Sequence, residues 1–278
     1  MSKRKKKSST LKWITTVVII IIWIVVNNWD SYSNTNTQEN PPLTKNTQEL
    51  NTGLEIPIIK SDLKEQIITH KGHTLSYNNQ TRTPLWVAWE LTKAETQGDN
   101  ERNNEFLPDP HVRGRKVDTY DYSRSGYDRG HMAPAGDMKW NKQAMQESFY
   151  MSNICPQDHN LNKGDWNDLE IKTREWARRY GKAYVICGPI YHVGKKLEYI
   201  GNNRVAVPHA FFKAILIYQK NKPMAMGFYF DNKAGHLSLK EYLVSIDELE
   251  TITNMDFFSL LPDEIEDDIE KKIIDKLP

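Results

Sequence analysis

The sequence is poor in cysteine. Its 278 residues include two cysteines, Cys155 and Cys187, and no CxxC pair. The missing pair excludes the thiolate zinc sites of the common spacings. A disulfide between the two cysteines is compatible with a domain outside the cytoplasm. The apolar run 183–190 around Cys187 instead favours a buried thiol, so both alternatives remain open at this stage.

The chain also lacks a strong net charge, because its formal net charge at pH 7 is only +1. Its charges are unevenly distributed, however. Residues 3–7 are all basic and residues 111–142 lean basic, whereas residues 263–276 lean acidic. A basic middle region suits an anionic partner, although charge runs are more often solvated faces.

One long apolar run, residues 13–26, contains no charged residue and follows the basic cluster. With its flanking residues, the run predicts a transmembrane helix with Trp13 and Trp29 at the two interfaces. No small-x-small cleavage site follows, which favours an uncleaved signal anchor over a cleaved signal peptide. We therefore expect a single-pass protein of the cell membrane with its main domain on the extracytoplasmic side. A secreted protein is the alternative if the segment is cleaved.

These features divide the chain into four regions. Hydrophobic residues make up 38% of the chain and charged residues 26%, which suits a globular body with polar attachments. The stretch 30–53 is polar and rich in Asn and Thr, and it cannot bury enough apolar surface to fold. It therefore predicts a flexible linker. The regions are a basic cytoplasmic N-terminus (1–10), a transmembrane signal anchor (11–29), this linker (30–53) and the main domain (54–278).

Hydrophobic periodicity in the main domain predicts both helices and strands. Apolar residues spaced by three and four from Trp166 to Tyr180 predict the clearest helix, which Gly181 ends. Hairpin-length links between the elements indicate the α+β class. The other predicted helices are 139–149, 239–250 and 263–276; the predicted strands are 74–78, 85–91, 149–154, 183–190, 210–218 and 224–230; segment 127–131 is strand or loop, and 92–115 is loop.

The segment from Asp128 to His131 combines the residue types that phosphodiester hydrolysis needs. His131 can take a proton near neutral pH, which suits a general base. Arg129 can bind phosphate oxygens through two parallel hydrogen bonds. Asp128 supplies a carboxylate that can hold an imidazole or a guanidinium in place. A lone histidine is more often structural, so this reading needs support from the surrounding sequence.

The surrounding sequence resembles one family in five blocks. Residues 127–135 resemble the DRGH signature of the DNA/RNA non-specific endonucleases, a family that includes secreted bacterial nucleases and mitochondrial endonuclease G. Four further blocks resemble family segments in the same order, and the similarity covers most of residues 74–261. DRGH alone is modest evidence, whereas five ordered blocks are strong. The further blocks are 149–157, 161–170, 185–191 and 207–213.

The resemblance implies a ββα-metal fold, in which two strands and a helix surround one divalent cation. A central mixed or antiparallel sheet flanked by helices completes that fold. The resemblance also implies that His131 is the base that activates water and that Asn162 is the single protein ligand of the metal. The expected ion is Mg²⁺, with Mn²⁺ as an alternative, because oxygen ligands and several waters suit it. A plain helix N-cap is the other reading of Asn162.

The family pattern implies roles for four more residues. Glu170 matches a carboxylate that holds metal-bound water, although it could instead pair with Arg174 on the helix surface. Asn153 matches an asparagine that supports the histidine region, and Arg129 binds phosphate or steadies the site.

An upstream arginine is implied as the group that stabilises the transition state. Arg102 is our candidate, and Arg113 and Arg115 are its rivals in the same loop.

Together these observations predict a metal-dependent endonuclease that cuts DNA and RNA without sequence preference and leaves 5′-phosphate ends. Phosphate contacts carry affinity but no sequence information, which gives the lack of preference a physical basis. The alternatives are a non-catalytic nucleic-acid-binding module and a phosphodiesterase for small substrates. Family members are often dimers, so the resemblance also implies a homodimer, although no interface can be read from the sequence.

Overall fold

A computed structural model describes residues 53–60, 65–220 and 222–278, which belong to one compact unit. The predicted N-terminal region 1–10, signal anchor 11–29 and all but the last residue of linker 30–53 lie outside the described residues. In the part of the chain that the structure describes, no helix is both long and apolar enough to cross a membrane.

The described residues contain thirteen strands and five α-helices. The strands are β1 (Ile58–Ile59), β2 (Gln66–Thr69), β3 (Thr74–Asn78), β4 (Thr83–Thr92), β5 (Asp128–His131), β6 (Ile154–Gln157), β7 (Lys182–Ile190), β8 (Tyr199–Ile200), β9 (Val205–Ala206), β10 (Ala210–Gln219), β11 (Lys222–Asp231), β12 (Leu243–Val244) and β13 (Met255–Asp256). The helices are α1 (Lys142–Ser148), α2 (His159–Lys163), α3 (Asp165–Tyr180), α4 (Ile246–Thr253) and α5 (Asp263–Glu270).

Seven of these strands form one antiparallel sheet in the order β12-β11-β10-β7-β4-β3-β2. The central strands β7 and β10 are rich in branched and aromatic residues, which fit a pleated surface that is buried on both sides. Their hydrogen-bonded register pairs Cys187 with Lys213. The predicted α+β architecture with an antiparallel central sheet is therefore observed.

Successive side chains of the central strands point to opposite faces of the sheet. On one face, Cys187 and Phe211 belong to a core cluster that includes Trp166 and Trp176 of α3. On the other face, Phe212 belongs to a second cluster that includes apolar residues of α4 and α5. The sheet is thus covered by one long helix on one side and by two short helices on the other.

A smaller unit carries the DRGH segment. Strands β5 and β6 pair antiparallel, with His131 opposite Ile154, and α2 follows β6 almost directly. A Cβ atom on Gly130 would lie 2.2 Å from Oε1 of Gln157, so this close approach requires glycine. The two strands and the following helices provide the ββα arrangement that the sequence predicts.

The predicted helix 139–149 is observed as the shorter α1, and three predicted elements differ more strongly. The first of these is the strand 149–154. Residues Met151–Asn153 form a 3-10 turn, and the strand β6 begins only at Ile154. The Asn153 side chain bonds the main chain of Ala133 and Ser148. Such side-chain bonds give the backbone an alternative to the strand ladder.

The other two differences are helices that are shorter than predicted. In 239–250 a 3-10 turn and β12 come first, and α4 starts only where the Ser245 side chain accepts a hydrogen bond from the Glu248 N–H. In 263–276 the helix α5 ends at Glu270. After the helix, Ile274 packs against the core cluster that includes Trp176 of α3. The Trp176 indole N–H donates a hydrogen bond to the Pro278 carbonyl.

Both cysteines are buried free thiols. The Cys187 thiol donates a hydrogen bond to the Met132 carbonyl at 3.3 Å. Burial raises the pKa of each thiol, that of Cys187 to about 12. Of the two alternatives for the cysteines, the buried thiol is therefore the one observed.

Candidate active site

A polar cavity of about 500 Å³ opens where the ββα unit meets α3. Its lining combines residues from the loop between β4 and β5, from β5, from the turn after β5, from α2 and from α3. It therefore collects side chains that are up to 72 positions apart in the sequence. The charged and amide side chains that line it are Arg102, Arg129, His131, Asn162, Lys163, Asn167, Glu170 and Arg174.

His131 lies at the end of β5 and is 9% exposed. Its ring packs edge-on against Phe149, with centroids 4.7 Å apart, and lies 5.4 Å from Phe106. Burial and then the positive charge of Arg102 lower the pKa of His131 to about 3, so the imidazole is neutral at neutral pH. Its buried Nε2 has no hydrogen-bond partner among the described residues. The ring is therefore uncharged, and it lines the cavity.

Asn153 is buried behind this histidine and does not line the cavity. Its amide accepts a hydrogen bond from the Ala133 N–H at 2.9 Å and donates one to the Ala133 carbonyl at 2.9 Å. Its carbonyl also accepts from the Met132 N–H at 3.0 Å. These bonds fix the backbone immediately after His131 and thereby hold the imidazole in place.

Asn162 lies in α2, and its side chain points to β5. Its amide N–H donates to the Asp128 carboxylate at 2.9 Å, and the N-cap of the long helix α3 that follows is a different residue, Gly164. Because the amide nitrogen faces Asp128, the amide oxygen of Asn162 faces away from that carboxylate and is available to a ligand. The N-cap reading of Asn162 is therefore not what the structure shows.

Asp128 accepts a second hydrogen bond, from His159 Nδ1 at 3.0 Å. Burial by itself would raise the pKa of Asp128, but the hydrogen bonds from Asn162 and His159 lower it below the ordinary value. Asp128 thus stays ionised and orients the Asn162 amide. His159 is the first residue of α2 and reaches the site through this contact.

Glu170 projects from α3 into the cavity, and burial raises the pKa of its carboxyl to about 7, against the lowering effect of Lys213. Lys213 is 1% exposed, and its ammonium lies 3.9 Å from the centre of the Trp166 ring. A lysine buried this deeply needs compensating negative charge and an aromatic face. Glu170 provides part of that charge, so buried Lys213 and half-buried Glu170 form an ionic layer at the cavity.

Arg174 is held by Asp137 and not by Glu170. Its guanidinium donates to the Asp137 carboxylate at 2.7 Å, and Asp137 also accepts from the Trp89 indole N–H at 3.1 Å. The proposed surface pair of Glu170 with Arg174 is therefore not observed. The guanidinium of Arg174 lies at the cavity wall, four residues and about one helical turn after Glu170.

Two arginines lie above the rings that flank His131. The Arg102 guanidinium lies 5.0 Å from the centre of the Phe149 ring, and that of Arg129 lies 4.9 Å from the centre of the Phe106 ring. Arg129 also donates to the Thr119 hydroxyl at 2.7 Å. The rivals of Arg102, which are Arg113 and Arg115, lie on the exposed part of the loop and outside the cavity lining.

Sequence reasoning missed three lining residues, Lys163, Asn167 and Arg174. A signal for two of them was present, because Asn167, Glu170 and Arg174 recur at spacings of three and four and so share one face of α3. From the sequence, no role was predicted for Lys213 either. It is the single charge inside the otherwise apolar strand pattern 210–218, and such a residue indicates a functional or ionic contact.

The donor set in this cavity fits a divalent cation that prefers oxygen ligands. The Asn162 amide oxygen and the Glu170 carboxylate are oxygen donors, and no thiol lines the cavity as the structure describes it. Hard cations such as Mg²⁺ bind through a few protein oxygens and keep several waters. The cavity is large enough for such a hydrated ion beside a phosphate.

Comparison with known proteins identifies similar nucleases. The chain is 37% identical over 210 residues to the mitochondrial nuclease EXOG of Xenopus laevis, which covers 68% of this chain and 57% of that protein. It is 33% identical over 205 residues to human mitochondrial endonuclease G, which covers 69% of each. A nuclease of Nostoc sp. is 32% identical over 219 residues, 74% of this chain and 78% of that protein. The chain spans little more than half the length of the EXOG relative.

A solved structure shares the fold. The crystal structure of the EndoG/EndoGI complex, whose subject is the mechanism of EndoG inhibition, matches with a TM-score of 0.67 and 30% identity. The match covers 72% of this chain and 89% of that chain. It confirms the α+β class and the large antiparallel sheet.

The predicted location at the cell membrane is wrong. The relatives EXOG and endonuclease G are mitochondrial nucleases by name, as is nuclease 1 of Schizosaccharomyces pombe. The prediction depended on basic residues followed by an apolar run. Several classes of N-terminal targeting segment share positive charge and apolar residues, so that pattern does not identify the membrane.

A family model described as DNA/RNA non-specific endonuclease matches residues 51–264. The match includes all five sequence blocks and every residue that lines the cavity. The family consists of metal-dependent nucleases, so the hydrolase class that the sequence predicts is confirmed together with the family. This chain belongs to the DNA/RNA non-specific endonuclease family.

Proposed function

We propose that this chain hydrolyses internal phosphodiester bonds of DNA and RNA without sequence preference, with His131 as the base and Mg²⁺ held through Asn162. One observation supports this most strongly. A neutral imidazole shares a single cavity with the Asn162 amide, which Asp128 orients, and with the guanidinium groups of Arg102 and Arg129.

Substrate binding in this proposal depends on the phosphate backbone. Arg102 and Arg129 lie above the two rings that flank His131, so a phosphate between their guanidinium groups lies beside the imidazole. Contacts of this kind position the nucleic acid without reading its bases. We therefore expect affinity to fall steeply as the salt concentration rises.

His131 acts as the general base. The imidazole is neutral before substrate binds, because burial and Arg102 hold its pKa low. A phosphate anion in the same cavity favours the imidazolium and therefore raises that pKa toward the working pH. His131 takes a proton from a water molecule, the water oxygen forms a bond to phosphorus, and the bond from phosphorus to the 3′ oxygen breaks. The 3′ oxygen takes up a proton, so the ends are a 5′-phosphate and a 3′-hydroxyl.

Asn162 and Glu170 are the residues that would hold the ion and its water. When bound, a divalent cation stabilises the negative charge that develops on the phosphate oxygens. Asp128 orients the Asn162 amide so that its oxygen faces the cavity. Asn153 fixes the backbone behind the imidazole, and Arg102 adds positive charge near the transition state. The homodimer implied by the family resemblance stays a prediction.

The test is digestion of supercoiled plasmid and of RNA, with and without Mg²⁺, by the wild type, by His131→Ala and by Asn162→Ala. We expect the wild type to cut both substrates only with metal. Removal of a general base or a metal ligand costs orders of magnitude in rate, so each variant should lose roughly 10²-fold or more. End-labelling should find 5′-phosphates.

The matched control is His236→Asn, which changes an exposed histidine outside the cavity lining and should cut like the wild type. Full cutting by folded His131→Ala would disprove the proposed base. Cutting of a dinucleotide but not of plasmid would favour a small-substrate phosphodiesterase. Binding of DNA without cutting in the presence of metal would favour a binding module.

A further inference from the structure

A second cluster of ligand-type side chains lies away from the catalytic cavity. His70 follows β2, and Asp109 and His111 lie in the loop between β4 and β5. In the described parts of the chain, these three form the one group of His, Cys, Asp or Glu residues whose ligand atoms all lie within 4.8 Å of one another. We propose that they bind one zinc-class transition-metal ion, separate from the ion at Asn162.

The distances suit a tetrahedral site. Nε2 of His70 lies 3.0 Å from Oδ2 of Asp109, and Nδ1 of His111 lies 3.2 Å from Oδ1 of the same carboxylate. Ligand atoms about 2.0–2.1 Å from a tetrahedral zinc ion are roughly 3.3 Å apart. Each imidazole nitrogen thus already lies near that distance from a carboxylate oxygen. The two contacts use different oxygens of Asp109, so the carboxylate must turn to present one oxygen to both nitrogens. The imidazole of His111 is on an exposed side chain and can turn inward to complete the contact with His70.

The ligand chemistry favours zinc over magnesium. Two imidazole nitrogens and one carboxylate oxygen are borderline-soft donors that suit Zn²⁺, whereas Mg²⁺ prefers oxygen ligands alone. The site has an inner and an outer side, because the side chains of His70 and Asp109 are completely buried and that of His111 is 57% exposed. A water can occupy the fourth position on the exposed side.

Buried groups around the cluster are placed to support metal ligands. Nδ1 of His70 has no hydrogen-bond partner among the described residues, and the nearest carboxylate, that of Glu147, lies 3.9 Å away. A metal-bound imidazole usually donates its other N–H to such a carboxylate. Ser152 donates to Asp109 at 2.5 Å, which orients the carboxylate that would bind the ion. A hydrogen-bonded pair of His70 and Asp109 with only a structural role would not explain why the buried Nδ1 of His70 faces Glu147 without a hydrogen-bond partner.

An ion here would join the long loop to the edge of the sheet. His70 lies in the turn between the edge strand β2 and its neighbour β3, whereas Asp109 and His111 follow the loop segment that carries Arg102 and Phe106. That segment supplies the ring and the guanidinium beside His131. The proposed ion therefore has a stabilising role, because it restrains the loop without contacting the substrate.

The test measures zinc on the full chain after metal removal, dialysis against Zn²⁺ and washing with excess Mg²⁺. We expect one zinc per chain in the wild type, one in Asn162→Ala and none in His111→Ala. Cobalt in place of zinc should give tetrahedral absorption bands that disappear in the same variant. Zinc at about 100 times its dissociation constant should raise the Tm of the wild type by about 5 °C or more.

His111 is exposed, so His111→Ala should fold, and His236→Asn serves as the exposed-histidine control that keeps its zinc. Equal zinc content in the wild type and His111→Ala would overturn the proposal, as would loss of all zinc in Asn162→Ala. Because zinc content and Tm are read without nuclease activity, failure here leaves the proposed catalytic function intact.

Discussion

The two faces of the central sheet contain different chemistry, although the same strands build both. On the face toward α3, Lys213 and Asp137 are buried and half-buried Glu170 lines the cavity above them. On the opposite face, the neighbouring residue Phe212 packs against Phe257 with ring centroids 5.4 Å apart. Adjacent residues of one strand thus serve an ionic layer and an apolar core.

This difference indicates that one face of the sheet mainly stabilises the fold and that the other mainly supports the catalytic cavity. Buried charges are costly unless they are compensated, and uncharged packing would stabilise the fold more simply. A buried lysine, a buried aspartate and a half-buried glutamate therefore occur on the face where the site needs them. Changes on the apolar face should alter stability alone, and changes on the ionic face should alter activity and its pH dependence.

The largest effect is expected on the apolar face. Phe212→Ala removes a fully buried ring, which should lower the free energy of unfolding by about 3–5 kcal/mol because a cavity remains. Below its Tm the variant should keep its nuclease activity, since Phe212 points away from the cavity. Chemical denaturation and plasmid cutting at low temperature would measure the two quantities.

Phe212→Leu is the matched control and should recover much of that stability. A large loss of activity in folded Phe212→Ala would show that the two faces are coupled, and the comparison would then fail.

A smaller effect is expected for Lys213→Met, which keeps the length of the side chain and removes its charge. Lys213 holds down the pKa of Glu170, which burial already raises to about 7. Without the lysine that pKa rises further, so less Glu170 is ionised at pH 7. Each unit of pKa shift costs roughly a factor of ten in the ionised fraction. We expect activity at pH 7 to fall about 10- to 100-fold and to recover as the pH is raised.

The rate–pH profile distinguishes this role from a structural one. An equal loss of activity at every pH would mean that Lys213 only supports packing around Trp166. Leu216→Met, a change of similar size on the opposite face of the same strand, should leave the profile unchanged.

Most of the sheet could be predicted because its signals are local. Strand β3 has the predicted limits, and the limits of α3 and the central strands are displaced by one or two residues. Apolar residues that recur every two positions predict strands, and apolar residues that recur every three or four positions predict helices, so the local pattern is enough to identify these elements. The predicted strand 149–154 failed because tertiary hydrogen bonds of Asn153 decide the backbone there, and no local pattern reports them.

Some residues of the candidate site could be predicted from local sequence, and others could not. His131, Asn162 and Glu170 were predicted and lie in one cavity, because sequence blocks mark them. The role of His159 and the pairing of Arg174 with Asp137 could not be predicted, since these contacts join segments 31 and 37 residues apart. Arg102 was the candidate from the sequence, with Arg113 and Arg115 as rivals, and of the three only Arg102 lines the cavity.

The smallest effect is expected where negative charge accumulates at the edge of the apolar face. Burial, followed by repulsion from Glu250 and Glu266, raises the pKa of Glu270 to about 8. The folded state therefore binds a proton that the unfolded state, with its ordinary glutamate pKa near 4.5, releases over most of this range. The stabilising contribution is complete below pH 4.5 and is lost as the pH rises through 8.

Glu270→Gln removes this dependence, since a neutral amide neither ionises nor repels its acidic neighbours. The Tm should rise by about 2–4 °C at pH 8.5, which corresponds to roughly 1 kcal/mol in a domain of this size, and should change little at pH 4.5. Glu264→Gln, at an exposed position of the same helix, should change the Tm little at either pH. An equal rise for both variants would mean that the net charge of α5, and not the burial of Glu270, sets the stability. In that case this edge of the apolar face would be an ordinary solvated surface.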